Sequence, residues 1–191
     1  VGSEMCIRDR HSRAFQEMGH IYKAMGEYNR ALEAYHRATQ LNSALTASLN
    51  AQIKILGQGG QAQQVKPLKA QLDYIQSLPK PLIAVIDLLA QGKLVKAEQI
   101  CKLFLQKNPR NVEGMRLLSQ IALKLGVLDD AEFLLESALE FSPNNSRIRI
   151  EYIQVLRKRQ NYAGALHQAK VLLEMDKDCL LYTSDAADEW L

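Results

Sequence analysis

The sequence is poor in residues that interrupt helices and in residues that cross-link chains. It contains 10 Gly and 5 Pro among 191 residues, and most of them fall between apolar periodic segments. Its three cysteines are too few for the disulfide framework of a small secreted domain, and aromatic residues make up 6% of the chain. Abundant instead are Ala, Leu, Gln, Lys and Glu, all strong helix formers. This composition predicts an all-α protein with a substantial core.

Long hydrophobic runs are also missing. The most apolar stretch, 82–90, contains Asp87 and is followed by polar residues. A membrane helix needs about 20 apolar residues, so we expect no membrane span. Residues 1–10 lack the apolar segment of a secretory signal, which a truncated start would hide. Cytoplasm is therefore the default expectation for the compartment.

Both ends differ from the sequence between them. Residues 1–10 and 179–191 resemble translated sequencing-adapter peptides, and we expect them to form artefactual tails outside the fold. They hold two of the three cysteines and the single Trp. The remaining residues, 11–178, carry 22 Lys and Arg against 16 Asp and Glu, a net charge of +6. The natural part is thus expected to be moderately basic, with Cys101 as a small core residue.

A fixed period organises residues 11–178. Ala97, Ala131 and Ala165 are spaced 34 residues apart, and each belongs to an amphipathic stretch that follows a turn. This is the period of the tetratricopeptide repeat. The first copy carries that family's aromatic, small and alanine positions at Phe15, Met18, Gly19, Tyr22, Gly26, Ala31, Tyr35 and Ala38. The sequence therefore resembles tetratricopeptide-repeat proteins.

The resemblance implies an all-α solenoid, in which tandem antiparallel helical hairpins stack as a right-handed superhelix with a concave inner face. We place about five repeats, at 12–45, 46–77, 78–111, 112–145 and 146–178. The second is predicted to be irregular, because 57–60 lengthens its turn and Pro67 would interrupt its second helix unless that helix starts near it. Ala31 to Ala97 also spans 66 residues, two short of two full periods. The residues expected to be buried between helices are Ala97, Cys101, Ala131, Leu135, Ala138 and Ala165.

Chemistry-bearing motifs are lacking as well. The sequence has no nucleophile elbow, phosphate-cradling loop or dinucleotide fingerprint. Its four histidines have no paired spacing suited to a metal ion. We therefore predict no catalytic residues, no cofactor and no metal site, and a protein that is not an enzyme on its own.

Function is predicted to lie on the concave face, which one stripe of each hairpin's first helix lines. The candidate partner-binding residues are Arg13, Gln16, His20, Lys23, Leu82, Ile86, Leu89, Arg116, Gln120, Lys124, Arg147, Gln154, Arg157 and Lys158. Cations and amides dominate, apart from an apolar strip in the third repeat. Such a groove suits a protein or peptide partner with acidic residues. Nucleic acid is disfavoured, because the stripe lacks aromatic residues for base stacking.

Two narrower comparisons with the family lead in different directions. Gln16 and His20 stand where members that bind chaperone tails need Lys and Asn, so we expect no such binding. Residues 82–176 are similar to the repeats that precede the catalytic domain of bacterial tetratricopeptide sulfotransferases. This likeness implies an alternative function, the substrate-recognition arm of a sulfotransferase whose catalytic domain is missing from the chain. The main expectation is an interaction scaffold that is a fragment of a longer protein.

The last hairpin carries a wide apolar stripe. Its second helix has apolar residues on more of its surface than one preceding hairpin covers, at Ala165, Leu166, Ala169, Leu172 and Leu173. Part of this stripe should therefore be exposed. We expect the chain to self-associate, or to bind a further helix, through this uncapped C-terminal end.

Overall fold

The computed structural model describes residues 2–185, and the side chains of residues 11–175. Within that part every regular element is an α-helix, as the composition predicts. The ten helices are α1 (Gly2–Ala24), α2 (Tyr28–Leu41), α3 (Thr46–Gln58), α4 (Ala62–Ser77), α5 (Lys80–Ala90), α6 (Leu94–Lys107), α7 (Val112–Leu125), α8 (Leu128–Phe141), α9 (Ser146–Lys158) and α10 (Tyr162–Asp185).

The chain divides into two compact units, residues 1–101 and 102–191. In unit 1, α1 packs on α2 and α3 on α4, while α2 also contacts α3. In unit 2, α7 packs on α8 and α9 on α10, while α8 also contacts α9. Each unit therefore contains consecutive helices paired across short turns, as the sequence predicts.

The core positions follow the predicted period. Ala97, Cys101, Ala131 and Ala138 are fully buried, Leu135 is 1% exposed and Ala165 is 5% exposed. Small side chains at these positions allow the helices of a hairpin to approach closely. In the first hairpin Gly19 has the same role, since a Cβ atom there would lie 2.6 Å from the ring of Tyr35. The prediction of these buried residues is confirmed.

The second and third repeats differ in the length of their first helices. α3 and α4 form an ordinary hairpin, and α4 continues through Pro67. Residues 63 and 67 are exposed, so water can satisfy the carbonyl group that proline leaves without a donor. The missing two residues belong to α5, which has 11 residues where α3 has 13. The shortfall therefore lies in the third repeat.

The end helices extend into the segments expected to be tails. α1 begins at Gly2 and α10 ends at Asp185, so their backbones continue through 2–10 and 179–185. Adding residues to an existing helix is favourable once the first turn has formed, which explains how short segments prolong a packed helix. Residues 1 and 186–191 lie outside the described residues. The tail boundaries at 10 and 179 stay a prediction.

Candidate functional site

A buried arginine joins the first helices of two successive hairpins in unit 2. The side chain of Arg116, on α7, is 2% exposed. Its Nε lies 3.0 Å from both carboxylate oxygens of Glu113, one turn earlier, and its Nη1 lies 2.6 Å from Oε1 of Glu151 on α9. Gln120 donates to the same Oε1 at 2.9 Å. The predicted groove cation is thus neutralised inside the protein.

Beside this ion-pair network lies an open cavity of ≈ 270 Å³ between α7 and α9. Leu123, Leu135 and Val155 supply its apolar lining. Its polar lining consists of Ser119, Gln120, Lys124, Glu151 and Gln154. We name this cavity the α7–α9 groove. It brings together three predicted site residues: Gln120, Lys124 and Gln154.

The groove contains one buried acceptor without a partner. Oε2 of Glu151 is inaccessible to water and accepts no hydrogen bond, whereas Oε1 accepts from Arg116 and Gln120. Buried carboxylate oxygens without a donor are costly.

The other cations predicted on the first helices of repeats 4 and 5 are exposed. Arg147 is exposed, with its Nε 4.0 Å from Oε1 of Glu151. Arg157 and Lys158 are exposed in the last turn of α9, where positive charge interacts favourably with the helix dipole. Arg116 and Glu151 differ from these cations in being paired with each other inside unit 2.

In unit 1 the predicted stripe of α1 contains both exposed and half-buried side chains. Arg13 and His20 are exposed, while Gln16 and Lys23 are half-buried. Nδ1 of His20 lies 2.7 Å from the hydroxyl of Tyr35, whose ring it meets edge to face. Burial, followed by the charge of Glu17, raises the pKa of Tyr35. His20 is therefore held against Tyr35, a residue of the hairpin core.

Two of the three residues of the apolar strip predicted in the third repeat are buried. Leu82 is fully buried, Leu89 is 8% exposed and Ile86 is half-buried. Counted from the starts of the first helices, Leu82 corresponds to Ser48, Gly114 and Ile148, all of which are buried. The shortened α5 displaces the register by two residues. These leucines therefore cannot line an open surface, and we correct their assignment.

Sequence reasoning missed Glu151. The feature of the sequence that could have revealed it is its spacing from Arg116, because a buried arginine needs a carboxylate partner. Glu151 follows Arg116 by 35 residues, one period plus one residue. That spacing places both side chains between neighbouring first helices. Pairing charges one period plus one residue apart would have identified it.

The described residues contain neither a candidate metal site nor a candidate membrane-spanning helix. Among residues 11–175, no group of three or more His, Cys, Asp or Glu side chains is arranged to hold a metal ion. Within the same described part, none of the helices has both the length and the apolar character to cross a membrane.

Comparison with known proteins agrees with this architecture. Two tetratricopeptide-repeat family models match residues 12–44 and 88–140. No curated protein matches the chain. Similar solved structures include a MamA protein, with 13% identity, a TM-score of 0.50 and coverage of 90% of this chain and 95% of that chain. A second MamA structure has 14% identity, a TM-score of 0.51 and coverage of 86% and 98%.

The helical hairpins and their 34-residue period define a repeat protein of stacked helix pairs. At such low identities the solved structures show the fold alone. The family models, together with the buried alanines of the hairpins, identify the particular repeat: the chain is a tetratricopeptide-repeat protein. Repeats of this class present surfaces for protein–protein interaction.

Proposed function

We propose that the chain is an interaction scaffold that binds an extended peptide segment of a partner in the α7–α9 groove. The observation that carries this proposal is the groove's lining. The lining combines the amide side chains of Gln120 and Gln154 with apolar Leu123 and Val155. Amides can donate to and accept from a peptide main chain, while the apolar lining accepts a side chain. Such a lining binds peptides of varied sequence.

The acceptor at Glu151 and the surrounding cations set the preferred ligand chemistry. Oε2 of Glu151 suits a main-chain N–H of the peptide. Lys124 lines the groove and Arg147 lies 4.0 Å from Oε1 of Glu151, so acidic residues on either side of that N–H gain favourable electrostatic energy. We therefore propose a peptide with acidic side chains flanking an apolar one.

The test is selection of peptides of about twelve residues from a random display library on the full chain. Synthetic copies of the selected peptides are then titrated by fluorescence anisotropy. Gln154→Ala and Gln120→Ala should each weaken binding about tenfold or more, since each removes hydrogen bonds in a partly buried site. Gln106→Ala, an exposed amide elsewhere in unit 2, is the control and should have no effect. Equal affinity of all three variants would place binding outside the groove.

Charge preference is tested separately. Lys124→Glu should weaken binding of acidic peptides, and added salt should weaken binding to the unmodified chain. Lys107→Glu, another exposed lysine of unit 2, makes the same charge change away from the groove. Selected peptides without acidic residues would contradict the proposed preference while leaving the groove itself intact.

We also propose that the chain self-associates through α10. Leu166 and Leu173 are 59% and 62% exposed, so part of the apolar stripe expected at the C-terminal end does face solvent. Exposed apolar patches of this kind mark interaction surfaces. The sulfotransferase likeness stays a prediction, on which no described residue bears.

A further inference from the structure

The first and last helices each expose an apolar stripe. At the first helix the stripe consists of Ala14, Met18 and Ile21 on α1 and Met25 in the turn directly after it, with Ile21 and Met25 58% and 61% exposed. On α10 it consists of Tyr162, Leu166, Ala169 and Leu173, with Tyr162 66% exposed. Spacings of three and four residues put each set on one face of its helix.

The stripe of α1 matches the face by which α9 packs inside unit 2. The starts of α2 and α10 differ by 134 residues, and the same step takes Ala14, Met18 and Ile21 to Ile148, Tyr152 and Val155. Those three side chains are 0%, 8% and 1% exposed and belong to the core cluster that α8 shares. The α1 residues are therefore of the type that this interface buries.

The stripe of α10 matches the other half of that interface. The 34-residue step takes Leu166, Ala169 and Leu173 back to Glu132, Leu135 and Leu139 on α8. Leu135 is 1% exposed, and Leu139 packs against the same cluster. α10 thus presents to solvent the face that α8 presents to α9.

The two interfaces differ at one contact, and the residues on both sides of that contact differ together. Inside unit 2, Arg159 at the end of α9 forms ion pairs with Glu132 and Asp129 of α8. The corresponding residues on the exposed stripes are Met25, Leu166 and Ala163. A cation and its carboxylates are replaced together by apolar residues. Had either side alone changed, α1 and α10 would not match.

We propose that copies of this chain associate head to tail, with α1 of one copy docked on α10 of the next as α9 docks on α8. This rests on the proposed self-association and adds its second surface. Because the two surfaces differ, each copy keeps one of them available after pairing. Assembly is then open-ended, and the average mass rises with concentration.

The experiment is sedimentation of the full chain between about 10 μM and 1 mM, where a small helix-pair interface should begin to associate. Met25→Arg and Leu166→Glu each place a charge against an apolar residue, and each should weaken association about tenfold or more. Because both positions are exposed, circular dichroism should show an unchanged fold. Phe133→Glu, at an exposed site of α8 outside the stripes, is the matched control.

The charge swap gives the decisive result. An equimolar mixture of Met25→Arg and Leu166→Glu chains recreates the Arg159–Glu132 pairing between copies and should regain association. So should the double variant in one chain. Failure of both rescues would overturn the head-to-tail arrangement.

Two other outcomes would also overturn it, and they separate its failure from that of the proposed self-association. In the first, Leu166→Glu loses association while Met25→Arg associates as strongly as the unmodified chain. This result would mean that α10 pairs with something other than α1, so self-association through α10 would stand. A clean monomer at all concentrations would remove both.

Discussion

Unit 1 and unit 2 use the same hairpin in differently stabilised forms. In unit 2, Asn111 and Asn145 cap α7 and α9, accepting hydrogen bonds from Gly114 and Ile148 at 2.8 and 3.2 Å. In unit 1, α2, α3, α4 and α5 all begin without a side-chain cap. Repeat identity therefore does not imply equal local stability.

The two units also fix neighbouring hairpins differently. In unit 2 an ion pair of Arg116 with Glu151 connects α7 to α9. In unit 1 a neutral donor is used, since Asn42, 1% exposed, donates to Asp87 on α5 at 2.7 Å. Gln91 donates to the other oxygen of Asp87 at 2.8 Å. A buried ionic contact is more sensitive to loss of one partner than an amide–carboxylate contact whose acceptor has a second donor.

Arg116→Ala should have the largest effect. It leaves Glu113 and Glu151 without their buried cation, and we expect a loss of about 3–5 kcal/mol in the unfolding free energy of unit 2. Urea denaturation measures the total, and hydrogen exchange of 112–175 assigns it to unit 2. Arg37→Ala, which removes an exposed pair within α2, should change stability by less than about 0.5 kcal/mol. Similar losses of unfolding free energy in Arg116→Ala and Arg37→Ala would show that the buried ion pairs of unit 2 stabilise the fold no more than an exposed pair does.

Gly19→Ala and Gly114→Ala should differ in sign or size. A Cβ at position 19 would lie within 2.6–2.9 Å of three ring atoms of Tyr35, which is fully buried and cannot move away. We expect a loss of about 1–3 kcal/mol, beyond the gain in helix propensity. At Gly114 the nearest atom, 2.9 Å away, is a flexible methyl of Leu105. Thermal unfolding should therefore show Gly114→Ala near neutral, and equal losses would refute the distinction.

Capping should separate the units by a smaller amount. Asn145→Ala removes a hydrogen bond to the N–H of Ile148 and should cost about 1 kcal/mol. Gln61, the exposed residue before α4, makes no cap hydrogen bond, so Gln61→Asp should gain up to about 1 kcal/mol. Melting temperatures of the two variants check both signs. If Gln61→Asp raises the melting temperature by as much as Asn145→Ala lowers it, the difference between the units is due to missing caps.

The fold was predictable because the repeat fixes it. The spacing of Ala97, Ala131 and Ala165 located the hairpins, and the burial of these residues follows from helix approach. The site was less predictable. A stripe assigned by counting fails once α5 loses two residues, as Leu82 shows. It also fails where a charged side chain is neutralised internally, because the sequence of α7 does not state that Glu151 reaches Arg116.

Alkaline pH should lower stability in both units. Burial, then the charges of Glu136 and Glu132, raise the pKa of Tyr152, while Arg159 lowers it. Burial is the leading cause at Tyr35 too. A raised folded pKa means that the folded chain keeps the proton longer, so this contribution is complete below about pH 10 and is lost as pH rises through the folded pKa. Tyr152→Phe should flatten the decline of melting temperature above pH 10, and an unchanged slope would exclude Tyr152 as its source.

The smallest expected effect is that of removing residues 1–10 and 179–191. The core clusters and ion pairs that distinguish the units lie within 11–175, so the melting temperature of the shortened chain should stay within error of the full chain. Its association should also persist, because the matching stripes span residues 14–25 and 162–173. A marked fall in melting temperature would show that the helical extensions at 2–10 and 179–185 pack against the repeats. Loss of association alone would instead place those extensions in the contact between copies.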